Sequence, residues 1–350
     1  MAAPTQDEVG LEINGKAFRF WQSIEITLGL DSFSTVSFTA PFESERREFR
    51  DTFRPFTYRT LEVTVGGETL FTGTFMGVHP RVSADSRLVE VTAYSLPARL
   101  GDCTAPESAL PLEFRNLKLR AIAETLVKPF GFAVSFPDGD GAAFDKVALT
   151  TSQKIGELLG DLARQRNRVI ASTPDGALLC WKSVSPGSPV VRLRANEQPV
   201  TGVSEDFDSQ EYFSQITGFS PTTRRRNGAR HTVFNPWLTD VLRPLSFELD
   251  DTERGDTAEE TRAKAARMFA NAAAYTVEVA TWRDPKGALW KPNTTLTLFA
   301  PDAMVYSEYE LLVRTVTLKQ SKESTTATLG LVLPGVFSGE IPTALPWNEP

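Results

Sequence analysis

The chain has 350 residues, 41% of them hydrophobic, which excludes a wholly disordered protein and predicts two or more domains. Its 44 acidic and 37 basic residues give a formal charge of −7, which excludes the basic excess that neutralises nucleic-acid phosphates. Cys103 and Cys180 lack C-x-x-C spacing and read as free thiols made in a reducing cytoplasm; no apolar run reaches the roughly 18 residues of a spanning helix, and Asp7 and Glu8 argue against an export signal.

The first hundred residues read as strands. Leu11 and Ile13, then Phe18 and Phe20, alternate with polar neighbours around Asn14-Gly15, the dipeptide of a type I′ hairpin. Alternation recurs over Ser23 to Gly29, Thr35 to Ala40, Leu61 to Val65, Leu70 to Met76 across a Gly66-Gly67 turn, and Leu88 to Tyr94. This spacing predicts a small antiparallel barrel or sandwich.

After Pro97 the period changes to that of a helix. Asn116 is the expected N-cap of a helix over Leu117 to Lys128, stopped by Pro129, and Ser152 that of a second with Ile155, Leu158, Leu159, Leu162 and Ala163 on one face. A short strand at Phe132 to Phe136 and a hairpin turning at Pro174-Asp175-Gly176 complete an α/β unit. Strand patterning resumes at Val190 to Leu193 and Phe213 to Phe219. A strand at Leu245 to Leu249 and a helix from Thr257 to about Ala274 follow. Strands then cover Val277 to Trp282, Thr294 to Phe299, Tyr309 to Leu318 and Thr325 to Leu333. Pro334, Pro342, Pro346 and Pro350 predict an extended arm.

The expected fold class is α+β, mainly β, with two related antiparallel β-barrel domains, an α/β domain and a strand-helix insert. The expected boundaries are 1–100 for the first barrel and 101–189 for the two-helix α/β domain. Residues 190–229 with 281–334 form the second barrel, 230–280 the insert and 335–350 the Pro-rich arm. Both β-halves end in Leu-Pro, at Leu96-Pro97 and Leu333-Pro334, a faint sign of duplication.

The ingredients of catalysis are scarce. His79 and His231 stand far apart, and no H-E-x-x-H, G-x-S-x-G or phosphate loop is present. Asp138-Gly139-Asp140-Gly141 begins like a calcium loop, but Leu149 stands where the closing glutamate belongs. No catalytic, metal or cofactor residues are assigned and no cofactor is expected. The acidic run Asp250, Asp251, Glu253 and Asp256 reads as a solvated helix entry. Arg224, Arg225 and Arg226 form the one concentrated positive patch, a solvated loop or an anchor for an acidic partner. Trp290 reads as core, Trp237 as core or interface, and Trp347, in the arm, as an intermolecular contact.

The stretch Trp282-Arg283-Asp284-Pro285-Lys286-Gly287-Ala288-Leu289-Trp290-Lys291-Pro292-Asn293-Thr294 resembles a W-R-D-P-x-G-x-L-W-x-P-N segment of the baseplate hub proteins of Mu-like contractile phages. The strands at Tyr309 to Val316 and Thr325 to Leu333, the Ala-rich helix, the first hairpin and the two-helix unit agree in order with that family. More distant relatives are the hub half of the type VI secretion spike. The resemblance implies a non-enzymatic homotrimer in the virion baseplate, assembled in the host cytoplasm. Its implied partners are a tail tube or tube-initiator protein, a separate central spike, and the tape-measure and other baseplate proteins, without specific nucleic-acid binding or membrane insertion. The alternative class is a cell-wall or polysaccharide hydrolase with a β-rich binding domain, although no carboxylate pair is singled out.

Overall fold

The computed structural model describes residues 7–110, 112–220, 228–249 and 257–348. The first β-unit holds β1 (Val9–Ile13), β2 (Lys16–Phe18), β3 (Ser23–Gly29), β4 (Thr35–Pro41), the short helix α1 (Arg47–Thr52), β5 (Thr60–Val65), β6 (Glu68–Val82) and β7 (Arg87–Ser95). The α/β unit contains β8 (Glu113–Leu117), α2 (Leu119–Val127), β9 (Val134–Ser135), β10 (Phe144–Ala148), α3 (Ile155–Arg164), β11 (Val169–Ser172) and β12 (Leu178–Trp181). Next come β13 (Arg192–Arg194) and β14 (Val200–Phe207), then β15 (Gln215–Phe219), β16 (Arg230–Phe234), β17 (Pro244–Glu248) and α4 (Thr257–Ala272). The second β-unit closes with β18 (Ala273–Val279), β19 (Thr295–Ala300), β20 (Val305–Ser321) and β21 (Thr325–Val332).

Local chemistry accounts for most of these elements. Asn14 and Gly15 adopt φ of 50° and 71°, the two positive values that a type I′ turn requires between β1 and β2. In α3 the expected apolar face, Ile155, Leu158, Leu159, Leu162 and Ala163, is buried. It packs with Leu119, Ile122 and Leu126 of α2 in a core separate from that of the β-units.

The strands of the two β-units join one 13-stranded sheet, ordered β14-β18-β21-β20-β3-β4-β7-β6-β5-β1-β2, with β19 beside β20 and β13 beside β19. The expected α+β, mainly β fold class is present, and its two related β-units share one continuous sheet. Among the described residues neither unit closes its own ladder, because β20 pairs along its first part with β19 and along its last part with β3.

Within that sheet a five-strand pattern occurs twice. The order β3-β4-β7-β6-β5 of the first unit reappears as β14-β18-β21-β20-β19 in the second, with the same succession along the chain. Irregularities repeat as well. The β6–β7 ladder shifts between Phe75 and Gly77, and the β20–β21 ladder between Val313 and Thr315. The β5–β6 and β19–β20 hairpins also each carry a shift. The Ser83 N–H donates to the Ser86 carbonyl at 2.8 Å and the Ser321 N–H to that of Ser324 at 2.9 Å, closing equivalent turns. In this registration Leu333 corresponds to Ser95, so the two Leu-Pro marks stand one position out of step.

Four further expectations are revised. Asn116 lies in β8 with φ of 53°, and α2 is preceded by Lys118 without a side-chain cap; asparagine tolerates the left-handed region, so the strand continues through it. Lys154, not Ser152, precedes α3, again without a side-chain cap. The insert is displaced from 230–280: β15 pairs with β16 and β17 in a small separate sheet, while β18 belongs to the large one. Finally, residues 335–348 are irregular yet not an extended arm, for Val336, Phe337 and Leu345 are buried in the main core.

At the junction of the units, Arg314 of β20 makes a two-pronged ion pair with Asp31, Nε to Oδ1 at 3.0 Å and a terminal nitrogen to Oδ2 at 2.9 Å. Both side chains are substantially screened from water, 33% and 20% exposed, so the pair is stronger than a typical surface bridge. Arg314→Met leaves the Asp31 carboxylate without this partner. It is expected to cost about 1–3 kcal/mol, read as a lower urea midpoint with unchanged slope. An unaltered midpoint would show that the pair contributes nothing to the junction.

Candidate assembly surfaces

Of the expected interface residues, Arg224, Arg225 and Arg226 lie outside the described residues, as does the acidic run from Asp250 to Asp256. Trp237 and Trp347 are brought together. They line one groove with Phe207, Tyr212, Phe269 and Leu345. The Trp347 ring meets Phe207 edge-on at 5.0 Å, so it has a partner within its own chain.

The fit of the C-terminal segment follows from its prolines. Proline supplies no N–H but keeps its carbonyl as an acceptor, and three carbonyls of the segment take donors from other elements. The Trp237 indole N–H donates to the Pro342 carbonyl at 2.9 Å, the Tyr309 hydroxyl to Ala344 at 2.8 Å and the Tyr306 N–H to Pro346 at 3.2 Å.

The residues weighed for chemistry are dispersed. His79 is exposed on β6 and His231 half-buried on β16. Burial pushes the Cys180 thiol up to about 12, the opposite of an activated nucleophile. The Asp138 carboxylate accepts the Lys182 N–H at 2.8 Å, and Asp140 pairs with Arg120 at 2.7 Å, so both acids staple their turn. Among the described residues no group of three or more His, Cys, Asp or Glu side chains could hold a metal ion. Trp290 is buried, its indole N–H donating to the Thr281 carbonyl at 3.0 Å.

What the sequence reading missed is a pair of open sheet edges. Strand β14 was not expected at all, because Ser204, Glu205 and Asp206 interrupt the apolar alternation. It pairs with β18 on one side only, and among the described residues nothing pairs with its other side. The last part of β6, residues 76–82, likewise pairs with β7 alone.

Comparison with known proteins shows what the chain is similar to. Residues 97–181, which span the α/β unit, match the family model "Baseplate hub protein gp44-like, second domain". Over 331 residues the chain is 26% identical to the baseplate hub protein gp44 of Escherichia phage Mu, covering 89% of this chain and 83% of that protein. The α/β unit is thus matched by a gp44-like hub domain, and the chain along most of its length is similar to a phage baseplate hub protein. The chain shares its fold with the 43 kDa tail protein of prophage MuSo2 from Shewanella oneidensis, with a TM-score of 0.79 at 22% identity over 94% of this chain and 99% of that one. It shares it more distantly with the E. coli c3393 protein, a component of the type VI secretion system, with a TM-score of 0.58 at 11% identity over 95% and 79%. The curated relative is by its name a hub of the phage tail baseplate.

Two measurements probe the C-terminal segment and the buried phenols. Trp347→Ala removes the ring that covers Phe207 and is expected to raise amide exchange at Tyr306 and around Ala344 severalfold with little change in the global midpoint; unchanged exchange would mean that the ring does not hold the segment. The second is alkaline. Burial pushes the Tyr309 phenol up to about 12, and burial followed by Asp102 does the same for Tyr94. Burial also raises Tyr275. The fold holds each phenol neutral, whereas an unfolded tyrosine ionises near about pH 10. Their contribution is therefore intact below that pH and lost as pH rises towards about 12. Tyrosinate absorbance should rise together with loss of structure; full ionisation near about pH 10 with native circular dichroism would contradict this.

Proposed function

We propose that three copies of the hub close into a ring that joins the hexameric tail tube, or its tube-initiator protein, to the trimeric central spike. The observation that carries this reading is the doubled five-strand pattern, two like units side by side in one sheet. A sixfold tube cannot stack on a threefold spike through identical contacts. Three chains with two like units each offer six similar surfaces towards the tube and three distinct ones towards the spike.

The ring encloses a channel for DNA and tape-measure protein. The net charge of −7 supports passage without capture, since an acidic wall releases no counterions from the phosphates and repels them. Light scattering of the purified hub, alone and with the spike component, is expected to give a mass of three copies. A strictly monomeric hub under both conditions overturns the reading.

A further inference from the structure

The small sheet has a free edge of its own. Its order is β16-β15-β17, and among the described residues nothing pairs with the far side of β17. The Leu249 N–H bonds to the Phe219 carbonyl at 2.8 Å, so the backbone groups of 245, 247 and 249 point at β15 and those of 244, 246 and 248 point away from it. Pro244 falls on an outward position, where its missing N–H takes nothing from the β15 ladder. Ser246 and Glu248 are exposed, and each turns an N–H and a carbonyl outward.

Beside this edge lies a cleft of about 570 Å³ between α3, α4 and β17, large enough for a short run of side chains. Its floor is apolar, formed by Phe213, Ile216, Leu245, Phe247 and Met268. Its walls carry cations. Arg164 is answered by Asp161, but among the described residues neither Lys264 nor Arg267 pairs with a carboxylate. Lys264 sits 4.8 Å over the Phe247 ring, and Arg267 donates to the Arg168 carbonyl at 3.2 Å. Burial, and then Arg164 beside it, pushes the Arg267 guanidinium down to about 10. The acids of the lining do not relieve it. Glu211 takes the Asn271 amide at 3.4 Å, Glu260 has a contact of its own, and strand alternation turns the Glu248 side chain to the opposite face of the small sheet. On the α3 wall the buried Gln165 Oε1 accepts from no described residue.

We propose that this cleft takes an extended segment of a second protein, added as a strand to the free edge of β17, with a carboxylate side chain set against Lys264 and Arg267. A free ladder edge is matched by backbone amides, which makes the occupant a polypeptide. Two cations without counter-ions above an apolar floor select a segment that carries an acid between apolar residues.

Strand alternation sorts the side chains of the added segment. Those on the face of Leu245 and Phe247 enter the cleft, and those on the face of Ser246 and Glu248 stay in water. Of the cleft-facing positions, a central acid meets Lys264 and Arg267 while apolar residues two places before and after it cover the half-buried Leu245 and Phe247. A wholly apolar strand would shut Arg267 further from water without a counter-ion, so the cleft discriminates against it.

The test uses a capped peptide in which threonine alternates with leucine, glutamate and leucine in turn, offered to the full chain at about 1 mM. Amide exchange at Ser246 and Glu248 is expected to slow about tenfold as their outward N–H groups enter the new ladder. The same peptide with lysine for glutamate should bind about tenfold more weakly. Ser246→Pro removes one outward donor without touching the β15 ladder and is expected to abolish binding. Should that variant lose native circular dichroism, Lys264→Glu, at an exposed position, takes its place and is expected to invert the preference between the two peptides. Unchanged exchange at Ser246 and Glu248, or equal binding of both peptides, overturns the proposal. Slowing of those amides with rising concentration of the chain and no peptide makes the occupant a second copy and overturns it as well. None of these outcomes depends on whether three copies form a ring.

Discussion

The ladder between β3 and β20 is the constraint on which the rest of the fold depends. Seven consecutive residue pairs, from Thr315 with Gly29 to Ser321 with Ser23, convert two β-units into one sheet. The segments it joins lie near opposite ends of the chain, so the sheet is complete only after the last strands are made. Arg314 and Asp31 secure the end of the ladder where the Leu30 N–H reaches the Arg314 carbonyl at 2.8 Å. Beside this point the α/β unit docks: the Trp181 indole N–H donates to the Leu30 carbonyl at 2.9 Å, and the Ser172 hydroxyl lies 3.0 Å from that of Ser34. One short stretch, residues 28–34, thus meets both neighbours of the first unit.

What was legible in the sequence is what adjacent residues decide. The Asn14-Gly15 turn, the alternation of β3, β4 and β7 and the apolar face of α3 all follow from local periodicity, and the structure has them where that periodicity places them. The segment at Trp282 to Asn293 was legible as a family mark, and it is also a packing device. The Trp282 indole N–H donates to the carbonyls of Thr326 at 2.8 Å and Lys319 at 3.1 Å, closing the hairpin onto β20 and β21. Helix caps were read wrongly because Asn116 and Ser152 offered the chemistry without the backbone that uses it. The open edges were illegible for a different reason. An unpaired edge strand that avoids indiscriminate pairing carries charge and proline, which is also how a loop looks.

The duplication was faint for a related reason. A ladder fixes backbone spacing, bulge position and strand order, and it asks of side chains only that alternate positions be apolar where they are buried. Thr315 and Gly77 occupy the same station, as do Ile26, fully buried, and Glu205, exposed. Neither pair would be matched by comparing letters. The shared irregularities between Phe75 and Gly77 and between Val313 and Thr315 are the more durable trace, since moving a bulge flips the faces of every residue beyond it.

The two units differ where the chain leaves the sheet, and that difference would give the proposed ring its second symmetry. Between β3 and β4 the first unit turns tightly: a Cβ on Gly29 would run into the Ser32 hydroxyl and lie 3.1 Å from the Ser32 carbonyl oxygen, so a larger residue there would make Ser32 move. The corresponding station in the second unit is Asp208, whose carboxylate accepts the Gln210 N–H at 2.7 Å and starts the chain into the small sheet and α4 before it returns as β18. A turn in one unit is therefore an inserted layer in the other. The ladder repeats twice per chain while the insert, the α/β unit and the C-terminal segment occur once. In the proposed ring, a tube that touches only the ladders would meet a sixfold surface, and a spike that touches the singular layers would meet a threefold one.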